Sequence, residues 1–188
     1  MCENFNLRTV QELQFNVAQL LKETTGASRT YDIVVVAAGK LDEEVSVVAP
    51  ITGHVKLLRT GKDILATGML HTTLKKSCGR CLAEFTTPIT IELEEEFYPT
   101  LDLVTGSILP EPEDADEANR IDERHLLNLW EVVRQEILLE GNSILYCRPD
   151  CKGLCPQCGQ DWNVADCDCE QEEIDVRWAG LRELHAED

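Results

Sequence analysis

An α+β fold is predicted: an N-terminal antiparallel β-domain, for which a partly open barrel is one available form, then a helix and a cysteine-rich C-terminal module. Three observations carry this expectation. Short β-branched and alternating segments fill residues 31–97, a long amphipathic helix pattern follows at 121–140, and six of the nine cysteines fall between Cys147 and Cys169. The expected division is residues 1–98 as N-terminal helix plus β-domain, 99–120 as an acidic linker, and 121–188 as helix plus cysteine module.

Taken in order, Leu7, Val10, Leu13, Val17, Leu20 and Leu21 recur at helical spacing, so one or two short helices are expected between Asn4 and Leu21. Tyr31 to Ala38 is β-branched and short, which reads as a strand, and Gly39 to Glu44 reads as a turn. Val45 to Arg59 and Ile64 to Lys76 read as strands around a tight Thr60-Gly61-Lys62-Asp63 turn. From Phe85 to Phe97, Ile89, Ile91, Leu93 and Phe97 fall on one face and Thr90, Glu92 and Glu94 on the other. Cys78 and Cys81 therefore sit at a hairpin tip.

Pro99 to Arg120 holds three prolines and a run of acids, the composition of a solvated linker. Ile121 to Glu140 is the strongest helix pattern, with Asp122 as cap, Leu126, Leu129, Trp130, Val133 and Ile137 as its apolar stripe, and Gly141 as its stop. A short closing helix is expected from Ile174, Trp178, Leu181 and Leu184.

The cysteine spacing carries the chemistry. In Cys155-Pro156-Gln157-Cys158-Gly159 a tight turn brings two sulfurs to one point, and Gly159 can take the positive φ that wraps backbone around an ion. Cys167 and Cys169 are two apart, so an extended segment presents both on one side. Those four make one soft-metal site, with zinc the default occupant. Cys147 and Cys151 remain, and Cys78 and Cys81 complete a second set, leaving Cys2 over. Other pairings of the same eight are possible, but this one closes the shorter loop between Cys158 and Cys167. A disulfide framework would need an oxidising compartment, whereas the start of the chain reads as neither secretory nor transit peptide. The expectation is two structural zinc ions in a cytoplasmic protein.

Composition narrows the function. No phosphate loop, nucleophile elbow or H-E-x-x-H motif is present, and sites of four cysteines leave no open metal position, so a non-enzymatic protein without a small-molecule substrate is expected. A dithiol oxidoreductase using Cys78 and Cys81 is the enzymatic alternative, although such motifs normally stand where a strand feeds a helix. The longest apolar runs fall short of the roughly 18 residues that span a membrane, so no membrane partner is expected. The formal charge of −18 opposes a general pull on nucleic acid. Two tetrathiolate zinc sites would deepen it to about −22. Locally the balance reverses: Lys56, Arg59, Lys62, Lys75, Lys76 and Arg80 face one acid, Asp63. With the pairing above, Arg148 and Lys152 would join Lys75, Lys76 and Arg80 in a basic patch suited to a phosphate backbone, while lysines along a hairpin edge also serve simply to block aggregation.

The run S-C-G-R-C-L-A-E-F, then I-D-E-R-H-L-L-N-L-W-E-V-V-R-Q-E-I-L-L, C-R-P-D-C-K-G-L-C-P-Q-C-G-Q-D-W-N, C-D-C and I-D-V-R-W-A-G-L-R-E-L together resemble the YceD family, bacterial and plastid proteins named for accumulation of large-subunit ribosomal RNA. F-N-V-A-Q-L-L-K-E-T-T-G-A-S-R-T-Y-D-I is similar to that family's opening, so the resemblance runs from Phe15 onward. The chain departs where the family has proline before the first clustered cysteine, reading Glu140-Gly141-Asn142-Ser143, and at D-P-R, reading Asp175-Val176-Arg177. Some relatives keep the hairpin pair without the final cysteines, which favours pairing Cys78 and Cys81 with Cys147 and Cys151. The resemblance implies a zinc-ribbon-like C-terminal module and a factor in large ribosomal subunit biogenesis. Its partners would be ribosomal RNA or large-subunit assembly intermediates; alternatively, it is an adaptor whose acidic surface meets basic ribosomal proteins.

Overall fold

The computed structural model describes residues 13–36, 39–42, 45–112, 116–143 and 146–169. Nine strands and one α-helix occur in them: β1 (Gln14–Asn16), β2 (Ser28–Val35), β3 (Gly39–Lys40), β4 (Ser46–Val47), β5 (Ile51–Arg59), β6 (Ile64–Ser77), β7 (Glu84–Pro99), β8 (Arg120–Ile121), β9 (Leu126–Asn128) and α1 (Trp130–Ser143). The fold is α+β and mostly sheet. Strands β2, β5, β6 and β7 form an antiparallel meander; β4 takes up the edge of β6 beyond the end of β5, and β8 pairs with β7 in parallel. The sheet stays open, with β2 at one edge, so no closed barrel forms among the described residues.

Alternation along the strands sets the core. Ile89, Ile91, Leu93 and Phe97 of β7 are buried while Thr90, Glu92 and Glu94 face outward, as the period of two predicts. On β6 the inward set is Ile64, Ala66, Leu70, Thr72, Leu74 and Lys76. Strands β5 and β6 approach unusually closely, because a Cβ on Gly53 would lie 2.1 Å from the Met69 carbonyl oxygen and one on Gly68 would lie 2.4 Å from that of His54. Only glycine fits such a backbone approach.

The N-terminal and helical expectations are corrected. Residues 4–12 lie outside the described residues; from Leu13 onward the chain forms β1 and a 3-10 turn at Leu20–Lys22 instead of a helix. Phe15 pairs with Leu127 across the β1–β9 ribbon, and its ring packs on Tyr31 at 4.6 Å between centroids. The long helix begins at Trp130 and not at Ile121. Residues 120–128 are drawn into β8 and β9, and the Asp122 carboxylate caps a turn, accepting from the amides of Arg124 at 2.9 Å and Leu126 at 2.8 Å. Asn128 caps the true start, its Oδ1 accepting from the Trp130 amide at 2.9 Å. Leu129, Trp130, Val133 and Ile137 are buried as the stripe predicts. Gly141 does not stop the helix. It lies buried inside it, where a Cβ would come within 3.2 Å of Leu74 Cδ1, so its missing side chain lets α1 settle against the sheet.

Between β7 and β8, the segment expected as a linker is tied at several points. Tyr98 donates its hydroxyl to the Asp116 carbonyl at 2.9 Å, and Leu101 bridges Ile108. The closing helix expected around residues 174–184 lies outside the described residues.

Candidate metal centres

The β6–β7 hairpin ends in a tight turn. The Cys78 amide donates to the Ala83 carbonyl at 3.0 Å and the Leu82 amide to the Cys78 carbonyl at 3.0 Å, with Leu82 in the left-handed region at φ 58°. This turn points Cys78 and Cys81 toward the segment that follows α1. There Cys147 and Cys151 stand on a second turn, closed by the Cys151 amide on the Arg148 carbonyl at 3.2 Å. Cys78 Sγ lies 3.9 Å from Cys151 Sγ, and Cys81 Sγ lies 3.8 Å from Cys147 Sγ. The second group forms locally. The Gly159 amide donates to the Cys155 carbonyl at 3.0 Å with Gly159 at φ 75°, the knuckle that the C-P-Q-C-G spacing predicts, and Cys167 and Cys169 return to it. In each group of four the sulfurs all lie within 4.8 Å of one another.

These distances fit a tetrathiolate ion. Four sulfurs about 2.3 Å from a central zinc stand about 3.8 Å apart, whereas a disulfide would bring a pair to about 2.05 Å. Among the described residues no two of the eight cysteines are joined as a disulfide. Backbone donors prepare them as well: the amides of Arg80 and Cys147 each reach Cys78 Sγ at 3.4 Å. Burial works against a charged Cys78, but those amides and that of Cys81 outweigh it and bring the thiol down to about 6. The backbone amides of Cys158 and Gln157 likewise lower Cys155 to about 6. Burial and the neighbouring sulfurs of Cys78 and Cys151 push Cys147 up to about 12. Four crowded sulfurs hold one ready thiolate and resist further charge, which is what a divalent cation would relieve.

The two groups differ in exposure. Cys78, Cys81 and Cys151 are buried, with Phe85 and Leu154 packed on them, whereas Cys158 is exposed and Cys167 and Cys169 are half-buried.

The basic residues divide. Lys76 is only 6% exposed and donates its ammonium to the Gly141 carbonyl, so it braces α1 and leaves the patch. Arg80 lies over the Tyr146 ring at 3.9 Å and donates to the Cys151 carbonyl at 3.0 Å, holding the two turns of the first group together. Lys75 pairs with Glu84 at 2.8 Å on the surface. Arg148 donates to Asn163 Oδ1 at 2.7 Å, and Lys152 is exposed. Around the first group, then, lie Arg80, Arg148 and Lys152. Trp162 and Asn163, which the spacing argument passed over, both reach ligand sulfurs; their signal was the D-W-N directly after C-P-Q-C-G-Q.

The fold and site define an open antiparallel sheet whose hairpin tip and C-terminal loops bring eight cysteines into two groups of four that could each hold a metal ion. A family model described as large ribosomal RNA subunit accumulation protein YceD matches residues 66–185, and the chain belongs to that family. It is 33% identical over 124 residues to uncharacterized proteins of Mycobacterium tuberculosis and Mycobacterium bovis, covering 65% of this chain and 56% of theirs. It is 26% identical over 155 residues to the Arabidopsis thaliana large ribosomal RNA subunit accumulation protein YCED homolog 1, chloroplastic, covering 72% of this chain and 48% of that protein. With Bacillus subtilis YlbN it shares 24% over 152 residues, 79% of this chain and 82% of that one. The chain spans about half the length of the mycobacterial and Arabidopsis relatives. No solved structure matches it. No helix among the described residues is long and apolar enough to cross a membrane.

Proposed function

We propose that the protein is a non-enzymatic zinc-binding factor in large ribosomal subunit biogenesis, supporting accumulation or processing of ribosomal RNA. The observation that carries this is the assembly of eight cysteines into two groups with tetrathiolate spacing, in a chain of the YceD family. Four thiolates saturate zinc, so each ion is structural, and Cys78 and Cys81 held among Cys147 and Cys151 are spent as ligands and not free to cycle as a dithiol. Zinc–thiolate centres of this kind suit a reducing compartment such as the cytoplasm.

Ribosomal RNA is met at the rim of the first centre, where Lys75, Arg80, Arg148 and Lys152 project beside the hairpin tip. The test uses Lys75→Glu with Lys152→Glu, because Lys76 and Arg80 hold the fold and would confound it. Co-sedimentation with large-subunit precursors is expected to be lost at unchanged zinc content, and the salt slope of RNA binding to fall by about 2. Unaltered co-sedimentation would overturn RNA contact at this rim.

A second reading, an adaptor for basic ribosomal proteins, is favoured by crowding of carboxylates around Asp63 and Glu136. Burial and then Glu96 push the Asp63 carboxyl up, and burial with Glu95 and Glu140 does the same to Glu136. A cationic partner would relieve that repulsion. Such binding would survive both the lysine changes and ribonuclease, and would fail when Glu94, Glu95 and Glu96 are changed to Gln.

A further inference from the structure

Trp162 and Asn163 are neighbours in sequence, yet their side chains reach sulfurs of different centres. Trp162 Nε1 donates to Cys167 Sγ at 3.4 Å in the second, and Asn163 Nδ2 donates to Cys151 Sγ at 3.5 Å in the first. Asn163 is also pinned from both sides. Its Oδ1 accepts from the Lys152 amide at 2.9 Å and from Arg148 at 2.7 Å, and Asp161 Oδ1 accepts from its backbone amide at 2.8 Å and from Nδ2 at 2.6 Å. Both residues belong to the loop between Cys158 and Cys167, whose two ends carry ligands of the second centre. Inside it, the backbone ties to the preceding segment are the Cys155 amide on the Gln160 carbonyl at 2.8 Å, the Trp162 amide on the Gly153 carbonyl at 3.0 Å and the Leu154–Asp161 bridge.

We propose that Asn163 is a positioning residue that couples the two centres, so that filling the second centre strengthens the first. An ion on Cys155, Cys158, Cys167 and Cys169 fixes the loop and aims the Asn163 amide at Cys151. Through the Lys152 amide and Arg148, Asn163 also orders the turn that carries Cys147 and Cys151. Outer-shell donors of this kind change metal affinity by about 10- to 100-fold. Coupling is reciprocal, so the first centre strengthens the second by the same factor. The more exposed, locally built centre fills first, and the more buried one, which must join residues far apart in the chain, fills on the platform so made.

The inference rests on metal binding, and cobalt(II) tests the two separately, because thiolate-bound cobalt absorbs strongly in the visible. Cys81→Ser and Cys167→Ser/Cys169→Ser leave one centre each and assign the bands. Asn163→Asp keeps an accepting oxygen for the Lys152 amide and Arg148 but loses the N–H donors to Cys151 Sγ and Asp161 Oδ1. In the full chain it is expected to weaken cobalt at the first centre by about 10- to 100-fold, with a shift of that centre's sulfur-to-cobalt charge-transfer band. In the Cys167→Ser/Cys169→Ser chain the first centre is already weakened by a similar factor, and Asn163→Asp adds little. Equal first-centre affinity with and without the second centre would overturn the coupling while leaving metal binding intact. So would the same Asn163→Asp loss in both backgrounds. A full chain with no cobalt–thiolate bands would sink the metal reading itself, and the coupling with it.

Discussion

Cys81→Ser is expected to empty the first centre and free both chain regions that it joins. Cys81 Sγ meets Cys147 Sγ at 3.8 Å across 66 residues of sequence, so the ion there ties the β6–β7 hairpin to the segment after α1. Structural zinc is worth on the order of 10 kcal/mol in small domains, and loss of one thiolate of four forfeits a large share of that. What remains is two buried sulfurs, the half-buried Cys147, and an Arg80 whose acceptors on Pro149 and Cys151 are no longer held in place. Limited proteolysis is expected to cut both the hairpin tip and the 146–152 turn in the variant and neither in the parent. Cys169→Ser should open the chain beyond Cys155 while the first centre, weakened but still tight, keeps the hairpin protected. Equal damage from the two substitutions would require a different ligand pairing.

Acidification is expected to strip both ions, with a defined change of slope. Protons and metal compete for the same sulfurs, so affinity falls as pH falls. Above about pH 6, Cys78 and Cys155 are already thiolates and carry no proton for the ion to displace. The high thiols, with Cys147 and Cys169 pushed up to about 12, must give theirs up at every ordinary pH. Below about pH 6, Cys78 and Cys155 also take up protons, so binding should cost one more proton at each centre and the decline should steepen. Chelator competition across this range checks the slope. A pH-independent affinity would mean that the ligands are not these thiols.

The cysteine groups were legible because their information is local: C-x-x-C turns and a C-x-C segment place sulfurs whatever the rest of the chain does. Pairing Cys78 and Cys81 with Cys147 and Cys151 followed by elimination, and the structure brings those four together. The long hairpin was legible from its period of two. That same period carried a signal that the charge argument overrode, since Thr72, Leu74 and Lys76 share the buried face of β6 while Lys75 points outward. A lysine at an inward position needs a carbonyl, and α1 supplies the one at Gly141. Residues 120–128 misled because their apolar residues fit either a helix stripe or short strands, and pairing with β7 and β1, far away in sequence, decided the matter. Gly141 read as a helix stop because its packing against Leu74 and Val45 is invisible without tertiary structure.

Elemental analysis of the chain, purified without added metal or reductant, tests the two-centre assignment most directly. Two zinc ions per chain, with all eight clustered thiols blocked to alkylation until the metal is chelated, is the expected result. A metal ratio near zero, with the same cysteines recovered as disulfides, would contradict it.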